Sequence, residues 1–257
     1  MSRKLVLDYP HHRPSFEPKR LKAESIWAIA DAARVQVCSN ASRPKVEIPH
    51  IVKRTRHLVV NGIAFEAHWE LDHPVIDETG QPVAGAVEYD ESYPQAALIS
   101  INCDLLRGRD DLASSTAAHE LGHAIFDTPS WIQHAANGSK HPPAVQTHHF
   151  QQAEYEETCI DRLPASAIDW CEWRANEFMG AFLAPRNLLH RHLHKRAAAL
   201  GIPLVEAASS DDLPIVNERK ASSEVIEALL IELAEIFGVS IEFIRVRLRK
   251  YQLLAWR

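Results

Sequence analysis

Between Ala117 and Phe126 the chain reads Ala-Ala-His-Glu-Leu-Gly-His-Ala-Ile-Phe. This stretch constrains the fold more than any other, because it places three ionisable side chains inside an otherwise apolar helical segment. A helix that is apolar around most of its surface is a buried one. Two imidazoles and a carboxylate buried there are costly unless something satisfies them. A helix advances about 100° per residue, so His119 and His123 lie on one face, one turn apart, with Glu120 rotated partly off that line. Asp110, Asp111, Ser114 and Ser115 supply acidic and capping groups for a helix start. Gly122 costs roughly 1 kcal/mol of helix stability relative to Ala, so a glycine there predicts close approach of another backbone or of a substrate.

Two neutral imidazoles at this spacing can reach one metal ion, and a carboxylate beside the first can hold the water that the metal activates. The expected cofactor is therefore one Zn2+ per chain, with His119 and His123 as ligands and Glu120 as general base. A surface helix carrying two solvated histidines is the alternative, and the apolar context weighs against it. Catalytic zinc usually takes three protein ligands and keeps one position open. The third is expected on a second buried helix, in the stretch Asp169 to Pro185 and closed by Pro185. There Glu172 is the candidate carboxylate ligand. Asn176, four residues on and sharing its face, is placed to hydrogen-bond a ligating imidazole and fix its tautomer. Two rivals for the ligand role stay open: Glu177, about 140° around the helix, and Asp169 on the face of Glu172. Glu172 as an ordinary exposed helix glutamate, paired with Arg174 or another neighbour, is the lesser reading.

A His119 to His123 helix followed by a Glu172-x-x-Ala175-Asn176-x-Phe178 helix ending in Leu183-Ala184-Pro185 resembles the ImmA/IrrE family of bacterial metallopeptidases. The likeness extends to Gly85–Tyr89, Ala97–Asn102 and Leu233–Ser240, and covers roughly residues 55–130 and 165–252. It implies a gluzincin-like domain with His119, His123 and Glu172 as zinc ligands and Glu120 as catalytic base. It also implies a protein substrate, often a DNA-binding repressor cut in stress response or on a mobile element. The interval from His123 to Glu172 is longer than is usual in the family. Residues 132–164, rich in histidine, read as an inserted loop or lid.

The expected fold class is α+β, a zincin-like peptidase domain over residues 1–200, a linker loop over 201–222 and a C-terminal helical hairpin over 223–257. Residues 16–35 have helical spacing of apolar positions. Asn61-Gly62 between strand-like runs predicts a tight hairpin. Val83 to Asp90 and Ala97 to Asn102 add two strands. An unpaired edge on the latter, at Leu98, Ser100 and Asn102, could hold an extended peptide substrate by backbone hydrogen bonds. His57, His68 and His73 read as surface residues. His190 and His194 sit among Arg191, Lys195 and Arg196 on a helix from Arg186 to Leu200 and read as a solvated basic face. A basic cluster at Arg43, Lys45, Lys53, Arg54 and Arg56 reads as a solvated loop, with nucleic-acid contact as the lesser alternative. Residues 205–222 read as a loop. The last two helices, Ser223 to Phe237 and Ile241 to Leu254, have the outline of a helix-turn-helix. Packing against the peptidase domain is the preferred reading of that pair, and direct DNA binding the lesser one.

The net charge of −6 over 257 residues argues against tight non-specific binding of nucleic acid by the whole chain. Cys38, Cys103, Cys159 and Cys171 are scattered, without a Cys-x-x-Cys pair, and read as reduced structural cysteines. No signal peptide or membrane-spanning run is visible, so a cytoplasmic location and no membrane partner are expected. Two other classes stay open beside the peptidase. One is a zinc-containing transcriptional regulator acting through its basic C-terminal helix. The other is a metal-dependent hydrolase of a non-peptide amide.

Overall fold

Strands β2 (His57–Val60) and β3 (Ile63–Glu70) form because apolar and polar residues alternate along them, and Asn61-Gly62 turns the chain between them. Both turn residues take positive φ, 52° and 83°, as a two-residue hairpin with matching twist requires. The computed structural model describes residues 4–38, 40, 42–76, 79–90, 92–138, 166–205 and 215–254. The hairpin belongs to a five-stranded mixed sheet of order β1-β2-β3-β5-β4. In it β1 (Leu5–Leu7) runs parallel to β2, β5 (Ala96–Ile101) runs parallel to β3, and β4 (Gly85–Glu88) runs antiparallel to β5. At the β1 edge the Gln36 side chain donates to the carbonyl of Val6 and accepts from its N–H, which blunts that edge.

The expected substrate edge on β5 is corrected by this order. Leu98 pairs with His68 on one side and Glu88 on the other, and Ser100 pairs with Glu70 and Ala86. The chain doubles back antiparallel from β4 into β5 while β3 pairs on the opposite side, so β5 is interior and β4 is outermost. Alternation finishes the correction. Ala97, Ile99 and Ile101 are fully buried, which turns Leu98 and Ser100 to the other face of the sheet. Asn102 is buried at the strand end, where its side chain accepts from the Leu105 N–H (3.1 Å) and donates to the Val75 carbonyl (3.4 Å).

Helices α1 (Ala23–Val37), α2 (Ile48–Arg54), α3 (Asp110–Phe126), α4 (Thr128–Ala136), α5 (Ala167–Leu183), α6 (Arg186–Ala199), α7 (Ser223–Phe237) and α8 (Ile241–Lys250) complete an α+β fold. Helix α3 lies between β4 and β5 of the sheet and α5, and α5 packs in turn on α1. A Cβ added to Gly122 would stand 3.1 Å from the Ala175 Cα, so the close neighbour expected at this glycine is the backbone of α5. Asp110 and Asp111 occupy the first turn of α3 as expected. Ser114 and Ser115 instead lie within the helix, where the Ser115 hydroxyl donates back to the Asp111 carbonyl.

Several boundaries differ from the sequence reading. Helix α1 begins at Ala23 rather than near residue 16, because Phe16 has positive φ (59°) and His11 bridges to Pro18 across a turn. Lys53 and Arg54 belong to the short helix α2, started by Pro49, and not to a loop. Within 205–222, β6 (Leu204–Val205) pairs with β7 (Ile215–Val216), and a 3-10 turn follows at Glu218–Lys220. Val216 is fully buried and its N–H donates to the Leu253 carbonyl, which ties this stretch to the chain end. Residues 132–136 of the expected insertion continue α4, and 139–164, with Cys159, lie outside the described residues.

Helices α7 and α8 meet at Gly238, in the left-handed conformation (φ 67°), and Ser240 caps α8 by accepting from the Phe243 N–H. Arg245 pairs with Glu227 and Glu242, while Arg247 and Lys250 pair with Glu177 on α5. The buried hydrophobic cluster runs from Leu5 to Leu254 and includes residues of both these helices. Among the described residues, no helix is long and apolar enough to cross a membrane.

Candidate metal centre

Helix periodicity stacks His119 and His123 one turn apart on α3, with ring centroids 4.8 Å apart. Their Nε2 atoms point at a common position and stand 3.1 Å from each other. From α5, Glu172 brings one carboxylate oxygen to 3.4 Å from His119 Nε2 and the other to 3.5 Å from His123 Nε2. The donor atoms of the three residues lie within 4.8 Å of one another, a set able to hold a metal ion. Both imidazoles are buried and Glu172 is half-buried, so what opening the site has lies on the side of the carboxylate.

The far sides of the rings explain their orientation. His119 Nδ1 is 3.1 Å from Asn176 Oδ1, as the shared face of Glu172 and Asn176 predicts. His123 Nδ1 is 2.9 Å from Asp127 Oδ2. Both partners are acceptors, so each Nδ1 donates and Nε2 is the nitrogen that each ring turns inward. Two lone pairs at 3.1 Å, with a carboxylate close to both, repel unless a cation or proton stands between them. Ligands about 2.0–2.1 Å from a tetrahedral zinc are separated by about 3.3 Å, and the three observed separations bracket that value. The residues present therefore fit Zn2+.

The charges around the pair are strongly coupled. Burial disfavours a charged His123, but the Glu172 and Asp127 carboxylates outweigh it and push its pKa up to about 10. A proton and a divalent cation thus compete for the same lone pair. Burial likewise opposes ionisation of Asp127. Hydrogen bonds from His123 and Arg174 overcome it and hold that carboxyl below its usual range. Upstream in the chain, the Tyr9 hydroxyl donates to the Ile125 and Phe126 carbonyls and closes the end of α3 beside Asp127.

Glu120 is fully buried, and among the described residues neither of its carboxylate oxygens has a hydrogen-bond partner. Burial pushes its pKa up to about 7; His119 and His123 pull it back, and Glu172 adds to the rise. Such a carboxyl gains or loses a proton near neutral pH, as a general base must. Gly85 on β4 makes room for it, because a Cβ there would come 2.6 Å from Thr116 Cγ2 and 2.9 Å from Glu120 Oε1.

The two rival ligands have other partners. Asp169 forms a reciprocal capping box with Ser166 at the start of α5. Glu177 is buried against Arg247, Lys250 and the Trp27 indole N–H. Leu98 and Ser100 do not join the site, for the reason of strand alternation given above. The sequence reading missed Asp127, and it named Arg174 only as a partner of Glu172, whereas Arg174 pairs with Asp127. Asp127 carried a legible signal, because it falls four residues after His123 on the same helical face. Arg174 carried none, since its contact with Asp127 joins two helices far apart in the chain. Compared with known proteins, the chain matches no family model, no curated protein and no solved structure.

Proposed function

We propose that this chain is a zinc-dependent endopeptidase with a zincin-like site of the ImmA/IrrE kind. The observation that supports it most is the pairing of an inward-facing His119–His123–Glu172 set with a buried carboxylate next to it, Glu120, which has no hydrogen-bond partner among the described residues. A merely structural metal site has no use for such a group. When bound, zinc would polarise a scissile carbonyl and make water a stronger acid. Glu120 takes the proton of the attacking water and returns it to the leaving amine. Asn176 and Asp127 keep both imidazoles in the tautomer whose Nε2 can bind a metal. Gly85 puts the outermost strand β4 next to Glu120, which favours an extended peptide lying along β4 rather than β5. Gly85, Ala86 and Val87 are themselves buried, so that strand must be uncovered for a peptide to pair with it.

The class of substrate, a DNA-binding repressor or similar regulatory protein, rests on the sequence resemblance alone. Direct action on DNA through α8 is disfavoured, because Arg245, Arg247 and Lys250 are engaged by carboxylates of the fold. Elemental analysis of the purified chain should find about one zinc. Co-expression with a candidate repressor should give fragments that disappear in Glu120→Gln while the zinc content stays the same. Removing a general base costs about 10²–10⁴ in rate. Undiminished cleavage by Glu120→Gln would remove that residue from the mechanism.

A further inference from the structure

Asp127 and Arg174, the pair that holds His123, also line a cavity of about 390 Å³ that none of the three candidate ligands lines. Its size falls in the range of small-molecule sites. Trp131, Trp170 and Leu21 contribute flat apolar wall. The Arg20 guanidinium stacks over the Trp170 ring, 4.6 Å from its centroid. Lys19, Arg20 and Arg174 face the cavity against two carboxylates, Glu17 and Asp127. Both carboxylates have partners: Asp127 bonds Arg174 and His123, and Glu17 lies 3.6 Å from His134 Nε2. Arg174 is 8% exposed, and its Nε is buried without an acceptor among the described residues. The cavity thus joins indole surface to a surplus of positive charge, including one under-used guanidinium.

We propose that this cavity is a binding site for a small aromatic carboxylate, with its ring against the indoles of Trp131 and Trp170 and its carboxylate drawn to Arg20 and Arg174. The charge surplus selects an anion, and the guanidinium geometry suits a carboxylate. The aromatic walls select a flat apolar body. The inference stands independently of the metal reading, because no zinc ligand touches the cavity.

Calorimetry on the 257-residue chain tests it with two probes that share a ring and differ in charge, indole-3-acetate and tryptamine. Indole-3-acetate should bind saturably with one site per chain, and tryptamine should not. Arg20→Glu, at an exposed position, should weaken indole-3-acetate by about tenfold or more, and Trp170→Ala should do the same. Absence of saturable heat from indole-3-acetate, equal binding of tryptamine, or unchanged affinity in Arg20→Glu would each overturn the proposal. Arg20→Glu keeps the test decisive if Trp170→Ala fails to fold.

Discussion

His123 Nδ1 lies 2.9 Å from Asp127 Oδ2, one helical turn further along, so the stretch of chain that supplies a candidate ligand also supplies the group that orients it. The carboxylate is pinned in its turn by Arg174 from α5, at 2.9 Å. Asp127→Asn should lower zinc affinity by about 10–100-fold, the usual effect of losing an outer partner of a ligating histidine. Competition with a chromophoric chelator measures it, and an unchanged affinity would remove Asp127 from the orienting role.

Zinc should stabilise the fold, since the ligands come from two helices that are brought together only in the native state. At a free zinc concentration one hundred times Kd the gain is about 2.7 kcal/mol, read as a rise in denaturation midpoint. Glu172→Ala should abolish most of that gain. Acid should weaken binding as well. His123 holds a proton up to about pH 10, so below that value zinc must displace it, and apparent affinity should fall about tenfold per pH unit lost.

Glu177 predicts a separate acid sensitivity. Burial alone would raise its pKa, but Arg247 and Lys250 outweigh burial and hold it at about 2, below the ordinary carboxylate value of 4.5. Its folded pKa is depressed, so its stabilisation is present above about pH 4.5 and is lost as pH falls towards 2. The loss should be on the order of 3 kcal/mol. Glu177→Gln should flatten the stability profile over that window. It should also destabilise the chain at pH 7 by about 3–5 kcal/mol, because Arg247 is left buried without its counter-charge. Denaturant titrations across pH report both effects.

Two glycines in the helix pair α3–α5 should respond differently to alanine. At Gly122 the new Cβ meets the Ala175 Cα at 3.1 Å and Phe178 Cδ1 at 3.3 Å. Helix propensity returns about 1 kcal/mol. Crowding against a backbone costs about 1–3 kcal/mol, so the net effect should be a loss of about 1 kcal/mol. At Gly180 the Cβ would run into the Arg247 side chain, with the guanidinium Cζ at 2.7 Å and Cδ at 2.9 Å. Gly180→Ala should therefore be the more damaging change, and combining it with Glu177→Gln should cost less than the sum, because both disturb one ion pair. A double-mutant cycle by thermal denaturation checks this.

What the chain order alone determined is whatever depends on neighbours a few residues apart. The four-residue spacings put His119 beside His123 and Asn176 beside Glu172, and Asn61-Gly62 set the hairpin. Apolar periodicity marked α3 and α5 as buried helices, and Gly122 announced their close approach. Tertiary structure decided the rest. Which strand lies outermost depends on how β3, β4 and β5 pair, and a single strand's residues carry no record of its partners. The choice of Glu172 over Glu177 followed from where α1 and α8 cover α5, since Trp27, Arg247 and Lys250 claim Glu177 from other parts of the chain. The Arg174–Asp127 contact is likewise long-range. Helical and turn geometry repeats over a few residues and is written locally, whereas ion pairs and strand order are set only when distant segments meet.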